Sequence, residues 1–352
     1  NGSVYVYYKN QATGVYELQK TIQITSGGPG EEDDLYDIDS RFGSFIEIND
    51  KYLAISASYY PDGVTYDRGR VYLYKRVGTN WNFLKMWDVH TDFSVTSAKA
   101  QFGRKMSLSG DYLIIGSSET GSGNAGSGKV YIFQKNLGGT DNWGHVKTLA
   151  YPGSNDSGVS NNLQEEFGKE NGIDGDYIIA SAATAHAYDT TERDNSGLVF
   201  VYYRHTGGRN NWGLQQTIHA QLTNGSEDIN VNDHFGTGIS IVGKYLLVGA
   251  TKHDDDGVSN VGAAYMYYRT GSTWAIQQKI VPDTRILDND FGVGVISPST
   301  NYAVISANKG NKVYVFKRVG TTWTQQSILV NSSPISNDRF GWDLAYDGKN
   351  IY

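Results

Sequence analysis

Residues Phe235–Ala250, with the sequence FGTGISIVGKYLLVGA, contain the pattern on which the rest of the chain is built. A Phe-Gly pair opens a segment in which apolar and polar residues alternate, a Gly-Lys turn follows, and a second apolar segment ends in small residues. Alternation with a period of two is typical of β-strands, and a short turn containing Gly between two such segments indicates a β-hairpin. The stretch is therefore predicted to form two antiparallel strands.

This hairpin pattern occurs six times in the chain of 352 residues. Each copy begins at a Phe-Gly pair, and the phenylalanines of these pairs are Phe42, Phe102, Phe167, Phe235, Phe291 and Phe340. Two more alternating segments complete five of the copies, with a tryptophan near the start of the last one, at Trp81, Trp143, Trp212, Trp274 and Trp323. Four strands per repeat predict a β-propeller, in which the repeated Phe and Trp residues pack between neighbouring blades.

The two ends of the chain contain the halves of a sixth unit. The Phe-Gly pairs are 60, 65, 68, 56 and 49 residues apart, and counting from Phe340 through the chain end to Phe42 gives 54. We expect one domain over residues 1–352, an all-β, six-bladed propeller of four-stranded antiparallel blades that is closed by pairing the N- and C-terminal strands. The expected blades are at about 42–90, 102–150, 167–220, 235–282, 291–330, and 340–352 completed by 1–24. If the chain is a fragment of a longer protein, seven blades are the alternative.

The composition restricts the classes of function. The chain has 42 Gly, 26 Tyr and no Cys, which excludes disulfides, thiolate metal sites and a cysteine nucleophile. The formal net charge of -7 argues against nucleic acid as a partner, because that binding needs Lys and Arg to neutralise phosphates. No run of about 18 apolar residues is present, so no membrane span is predicted in this chain.

The repeated order of a Phe-Gly pair, an apolar strand ending in small residues, and a Val-Tyr-Val-Phe type strand resembles the FG-GAP repeat family over essentially the whole chain. That family includes the head of integrin α-subunits, fungal propeller lectins and bacterial surface proteins. The resemblance implies a non-catalytic recognition or adhesion module, extracellular or at the cell surface, that binds protein or glycan partners within a larger protein or assembly. The alternatives are a free lectin with sugar pockets between blades, and a glycan-processing enzyme with a convergent pair of carboxylates.

Calcium is the cofactor that the resemblance raises, because integrin-like repeats carry Asp-x-Asp-x-Asp-Gly loops between their first two strands. The corresponding turns here, such as Asn49-Asp50-Lys51, are too short and too poor in acids for that loop. The connection between the second and third strands of the fourth unit is a weaker candidate, since Asp254, Asp256 and Asn260 place oxygen ligands close together. The alternative is a solvated acidic loop without a metal.

Two other loops hold candidate ligand-binding residues. Tyr60 and Asp62 lie in one loop, and Tyr188 and Asp189 lie in another. Aromatic rings can stack on the apolar faces of sugars while carboxylates bind the hydroxyls, and loops on a rigid scaffold often carry binding residues. The four residues are therefore predicted to contact a glycan, with ordinary surface tyrosine as the alternative. His253, in the acidic loop, is predicted to be solvent-exposed.

Overall fold

The computed structural model describes residues 2–24, 40–60, 67–95, 99–118, 128–152, 166–185, 195–333, 338–346 and 350–352. Antiparallel β-sheets account for almost all of the regular structure, which confirms the predicted all-β fold class. The chain divides into two compact units, Asn1–Lys169 and Glu170–Tyr352. None of the helical structure among the described residues has the length and apolar character that crossing a bilayer requires.

The first unit contains ten strands and one short helix among its described residues. The strands are β1 (Ser3–Lys9), β2 (Tyr16–Gln23), β3 (Ile46–Ile48), β4 (Tyr52–Ala57), β5 (Arg70–Val77), β6 (Asn80–Asp88), β7 (Met106–Ser109), β8 (Tyr112–Ser117), β9 (Lys129–Lys135) and β10 (Trp143–Ala150). Helix α1 (Val89–Phe93) follows β6, and the Asp88 side chain caps it by accepting hydrogen bonds from the backbone N–H groups of His90 and Thr91. The strands form one two-stranded sheet, β1–β2, and the four-stranded sheets β3–β6 and β7–β10.

The second unit contains twelve described strands. They are β11 (Asn171–Asp174), β12 (Tyr177–Ala182), β13 (Leu198–Tyr203), β14 (Gly213–Ile218), β15 (Phe235–Val242), β16 (Tyr245–Ala250), β17 (Ala263–Thr270), β18 (Thr273–Ile280), β19 (Phe291–Ser299), β20 (Tyr302–Ala307), β21 (Lys312–Val319) and β22 (Thr322–Val330). They form three sheets, β11–β14, β15–β18 and β19–β22, each with its strands in sequence order. Near the end of the chain, Tyr346 and Ile351 form an isolated antiparallel bridge.

The sequence repeat thus corresponds to five four-stranded sheets and one two-stranded sheet in the described part of the chain. This arrangement is consistent with the six-bladed β-propeller that the spacing of the Phe-Gly pairs predicts. Pairing of the N- and C-terminal strands, and the single domain over residues 1–352, stay predictions.

The second strand of the sheet β15–β18 is buried throughout because the neighbouring sheets cover both of its faces. In β16, Leu246 and Val248 pack with Val201 of the preceding sheet, whereas Leu247 packs with Ile305 of the following sheet. All six residues of β16 are buried. Burying one such aliphatic side chain contributes about 1.5–3 kcal/mol, so stacking of the sheets is the main source of stability in this unit.

Four of the predicted Phe and Trp pairs lie in hydrophobic cores shared by neighbouring sheets, namely Phe42 with Trp81, Phe102 with Trp143, Phe235 with Trp274, and Phe291 with Trp323. Five of the six phenylalanines are buried, and Phe340 is half-buried. Trp274 packs edge-on against Tyr177 of the preceding sheet, with ring centroids 5.8 Å apart. Gly262, just before β17, lies so close to Phe291 that a Cβ atom on Gly262 would be 2.2 Å from the Phe291 carbonyl oxygen. The glycine is therefore required by the close approach of two backbones.

Polar side chains also link neighbouring sheets. Gln278 of β18 donates to the carbonyl oxygen of Trp323 (3.0 Å) and accepts from its backbone N–H (2.7 Å). In the first unit, the Tyr52 hydroxyl donates to Asp141 (2.9 Å), and the Lys75 ammonium lies 2.5 Å from the same carboxylate. Burial and then this hydrogen bond raise the pKa of Tyr52 to about 12.

Candidate functional site

Three connections meet at one edge of the sheet β15–β18, and the buried side chain of His253 lies between them. They are residues 219–234 before β15, residues 251–262 between β16 and β17, and residues 281–290 after β18. His253 is only 2% exposed, so the prediction of a solvent-exposed histidine is wrong. Its Nδ1 atom lies 3.1 Å from Oδ2 of Asp233, which is equally buried.

Lys279, near the end of β18, joins this histidine to two further carboxylates. Its Nζ atom is 2.8 Å from Nε2 of His253, 2.8 Å from Oδ2 of Asp228 and 3.8 Å from Oδ1 of Asp255. An ammonium group has only donors, so Nε2 of His253 is the acceptor and Nδ1 carries the proton that is donated to Asp233. Both ring nitrogens are therefore occupied, and the histidine supports the loops rather than offering a base to a substrate.

An ion pair joins the third connection, residues 281–290, to His253, Lys279 and their carboxylate partners. The Arg285 Nε atom donates to Oδ2 of Asp255 at 2.8 Å. Burial raises the pKa of Asp228, but hydrogen bonds from Lys279 and from the Tyr265 hydroxyl outweigh burial and hold that pKa below its usual value. The carboxylate is thus kept ionised, and the three connections are held together by charged hydrogen bonds.

Of the predicted metal ligands in the same loops, Asp254 and Asp256 are exposed and Asn260 is half-buried. Asp254 and Asn260 come together, because the backbone N–H of Asn260 donates to Oδ1 of Asp254 at 2.8 Å, while the Asn260 side chain donates to Asp288. Asp256 is exposed and has a φ of 51°, which turns the backbone sharply. Within the described residues, no three acidic or histidine side chains are grouped as metal ligands. Calcium binding by Asp254, Asp256 and Asn260 stays a prediction.

A second cluster lies in the first unit, where the sheets β3–β6 and β7–β10 meet. Tyr59, which follows β4, is half-buried, and the Cζ atom of Arg41 lies 4.0 Å from the centre of its ring. The Nη1 atom of Arg104 lies 3.5 Å from the Tyr59 hydroxyl, and its Cζ atom is 5.8 Å from the Phe45 ring. Two guanidinium groups from different sheets therefore converge on one phenol. We call Arg41, Tyr59 and Arg104 the arginine cluster.

Of the four predicted ligand-binding residues, only Tyr60 lies among the described residues. Tyr60 is 9% exposed, and the Arg70 guanidinium covers its ring at 3.7 Å, so little of the ring faces solvent. Asp62, Tyr188 and Asp189 lie outside the described residues. Glycan contact by these four residues stays a prediction, but in the described part of the loop Tyr59 offers more accessible surface than Tyr60.

The family model of the FG-GAP repeat matches this chain at residues 94–133 and 212–267. The first segment contains Phe102-Gly103, β7, β8 and most of β9, and the second contains Phe235-Gly236, β14, β15, β16 and most of β17. Residues 94–133 and 212–267 of this chain are therefore similar to FG-GAP repeats. No curated protein matches it in sequence.

Solved structures resemble this chain only distantly. A periplasmic gluconolactonase of Pseudomonas aeruginosa, PpgL, is 12% identical, with 93% of this chain and 92% of that chain covered and a TM-score of 0.36. KlHsv2 with its loop 6CD replaced by a Gly-Ser linker is 9% identical, with 93% and 82% covered and a TM-score of 0.45. At these values neither protein assigns a function to this chain.

Two of the Phe-Gly pairs mark the positions of the arginines in the arginine cluster. Arg41 directly precedes a Phe-Gly pair, and Arg104 directly follows the next one. The sequence gives no signal for their convergence, because the two residues are 63 positions apart and only the stacking of sheets brings them to Tyr59. The same is true of Lys279 and His253, whose contact depends on the neighbouring ends of β16 and β18.

Proposed function

We propose that this chain is a non-catalytic recognition or adhesion module that binds protein or glycan partners outside the cell or at its surface. FG-GAP repeats are typical of extracellular and surface proteins and form propeller modules often used in recognition. The observation that carries the proposal is the network of His253, Lys279 and Asp228, which fixes three loops at one edge of a sheet. Loops that are ordered before binding lose less conformational entropy when a partner docks.

The fixed loops present both charged and apolar groups to solvent. Leu287 is 63% exposed and Val231 is 51% exposed, although both are aliphatic. Asp254 and Asp256 lie exposed on the neighbouring loop. A surface that combines a few apolar contacts with polar groups around them is typical of protein-binding and glycan-binding sites.

A binding screen with one matched pair of variants tests this proposal. Purified chain is applied to a broad glycan array and to a panel of secreted and cell-surface proteins, in calcium and again in chelator. We expect saturable binding to at least one partner, and Leu287→Asp should weaken it by at least about tenfold, since removal of a central apolar contact costs more than 1 kcal/mol. Val319→Asp is the control, because Val319 is equally exposed (66%) but lies at the turn between β21 and β22.

The outcomes separate the alternatives. Binding to no glycan and no protein, or equal binding by both variants, would contradict the proposal. Binding of free monosaccharides at several equivalent sites would favour the lectin alternative. Loss of binding in chelator would assign calcium to Asp254, Asp256 and Asn260. Turnover of an array glycan would favour the glycan-processing enzyme.

A further inference from the structure

The arginine cluster brings two positive charges to one half-buried aromatic ring. Arg41 stacks on Tyr59 at 4.0 Å, and Arg104 reaches the hydroxyl of the same ring at 3.5 Å. The two guanidinium groups come from different sheets, so their convergence results from the packing of β3–β6 against β7–β10. The two guanidinium groups therefore place cationic hydrogen-bond donors beside the same ring.

Arg104 has the hydrogen-bonding capacity that such an anion would use. A guanidinium carries five N–H donors in a planar fork. The one polar side-chain contact of Arg104 among the described residues is the 3.5 Å approach to the phenol, which is a long and weak hydrogen bond, and it forms no ion pair there. Most of its donors are therefore available to a ligand.

The surroundings favour a ligand that also carries hydroxyl groups. The exposed residue Ser44 directly follows Gly43, and its hydroxyl lies 2.9 Å from that of Ser58. Half-buried Phe45 and Tyr59 supply aromatic surface beside these polar groups. The formal net charge of -7 disfavours a long polyanion, because the protein as a whole repels it. A small ligand with one or a few negative charges is compatible with a local pair of arginines.

We infer that Arg41, Tyr59 and Arg104 bind the carboxylate of an acidic glycan, such as a chain containing uronic acid. A planar carboxylate matches the fork of an arginine and accepts two parallel hydrogen bonds, while the Tyr59 hydroxyl can bind a sugar hydroxyl. This inference rests on the proposed recognition function, and it names the class of ligand for the first unit. The loops around His253 in the second unit are not involved.

Isothermal titration with two matched sugars tests the inference. One probe is a short glucuronic acid oligosaccharide, and the other is a neutral glucose oligosaccharide of the same length. We expect saturable binding of the acidic probe, at least tenfold tighter than the neutral probe, and weaker at 300 mM than at 50 mM NaCl because salt screens exposed charges. Arg104→Gln should weaken binding of the acidic probe by at least tenfold, and Arg41→Gln should weaken it in the same direction.

Arg209→Gln is the matched control, since it makes the same charge change at an exposed residue remote from the cluster in sequence. Circular dichroism melts confirm that each variant is folded. Equal binding of the acidic and neutral probes, no binding of the acidic probe, or equal affinity of the Arg104 and Arg209 variants would overturn the inference. Binding of a Glu-rich peptide without binding of the acidic sugar would also overturn it. The proposed function is tested separately by Leu287, so the two can fail independently.

Discussion

The close approach of Gly262 to Phe291 predicts a large cost for adding one methyl group. Gly262 has a φ of +85°, and a Cβ atom there would be 2.2 Å from the Phe291 carbonyl oxygen and 2.6 Å from its backbone nitrogen. Both contacts are with backbone, so no side chain can rotate away. Gly262→Ala must therefore separate the sheets β15–β18 and β19–β22 locally, or distort the start of β17.

The magnitude follows from two separate effects. Placing a non-glycine residue at this φ costs about 1–2 kcal/mol, and forcing an extra carbon into a packed interior costs about 1–3 kcal/mol more. Alanine also lowers the conformational entropy of the unfolded chain, which offsets about 0.5–1 kcal/mol of this cost. We expect Gly262→Ala to lower the free energy of unfolding by about 2–4 kcal/mol, which is a large part of the stability of an ordinary domain.

Gly271 provides the control, because it shares the positive φ without the close contact. Its φ is +61°, and a Cβ atom added there would meet no described heavy atom within 4 Å beyond its chain neighbours. Gly271→Ala should cost only about 1 kcal/mol. Urea unfolding of both variants, followed by circular dichroism, measures the difference. If the two variants are destabilised equally, the close approach of Gly262 to Phe291 adds no cost of its own, and the reasoning is wrong.

Three other variants test the polar contacts. Gln278→Leu should cost about 2–4 kcal/mol in urea unfolding, because it leaves the backbone N–H and C=O of buried Trp323 without their partners; a cost below about 0.5 kcal/mol would show that water replaces the amide. Lys279→Met should destabilise the chain at pH 7 by about 2 kcal/mol, and by less at low pH. The pKa of Asp228 is lowered in the fold, so its stabilising contribution is present above the unfolded pKa and is lost as pH falls through the folded value; an unfolding cost that is independent of pH would contradict this. Tyr52 should ionise near pH 12, so the stability it contributes is complete below about pH 10 and is lost as pH rises towards 12. Absorbance titrations of the wild type and of Tyr52→Phe measure this ionisation as the difference between the two curves. A difference that appears at the ordinary phenol pKa would refute the prediction.

The strands could be predicted from the sequence because each has a strict pattern and a boundary at Gly or Asn. The apolar segment Tyr52–Ala57 is expected to form a strand with these bounds, and β4 has the same bounds. The first strand of that unit is expected to extend from Phe42, but β3 contains only Ile46–Ile48. Residues 42–45 form a turn and a bend, and the regular strand begins only after them.

The candidate sites could not be predicted, because the residues that form them have no local pattern. His253 is buried by Asp233 and Lys279, which are 20 and 26 residues away and approach it only when the sheet has formed. Tyr59 and Tyr60 are adjacent in the sequence, yet one is half-buried beside two arginines and the other is covered by Arg70. Loop residues have no periodicity from which their direction could be inferred, so the sequence offers no physical reason to prefer Tyr60 over Tyr59.

The residue directly before each Phe-Gly pair has a strained backbone conformation, and its side chain differs between repeats. All six residues there have φ between 48° and 55°, namely Arg41, Gln101, Glu166, His234, Asp290 and Arg339. Each non-glycine residue in this conformation costs about 1–2 kcal/mol. Glycine would avoid the cost, but it would supply no side chain for binding, and strain that persists in a fold is often associated with function.

Arg41 allows this trade between stability and binding to be measured. Arg41→Gln removes the guanidinium but keeps the strained backbone, whereas Arg41→Gly removes both. Glycine relieves the strain of the positive φ, but it also raises the conformational entropy of the unfolded chain, which offsets part of that gain. We therefore expect Arg41→Gly to be more stable than Arg41→Gln by about 1 kcal/mol in urea unfolding. Both variants should bind the acidic oligosaccharide equally weakly. If Arg41→Gln is at least as stable as Arg41→Gly, the positive φ costs nothing there, and the absence of glycine before the Phe-Gly pairs needs no functional explanation.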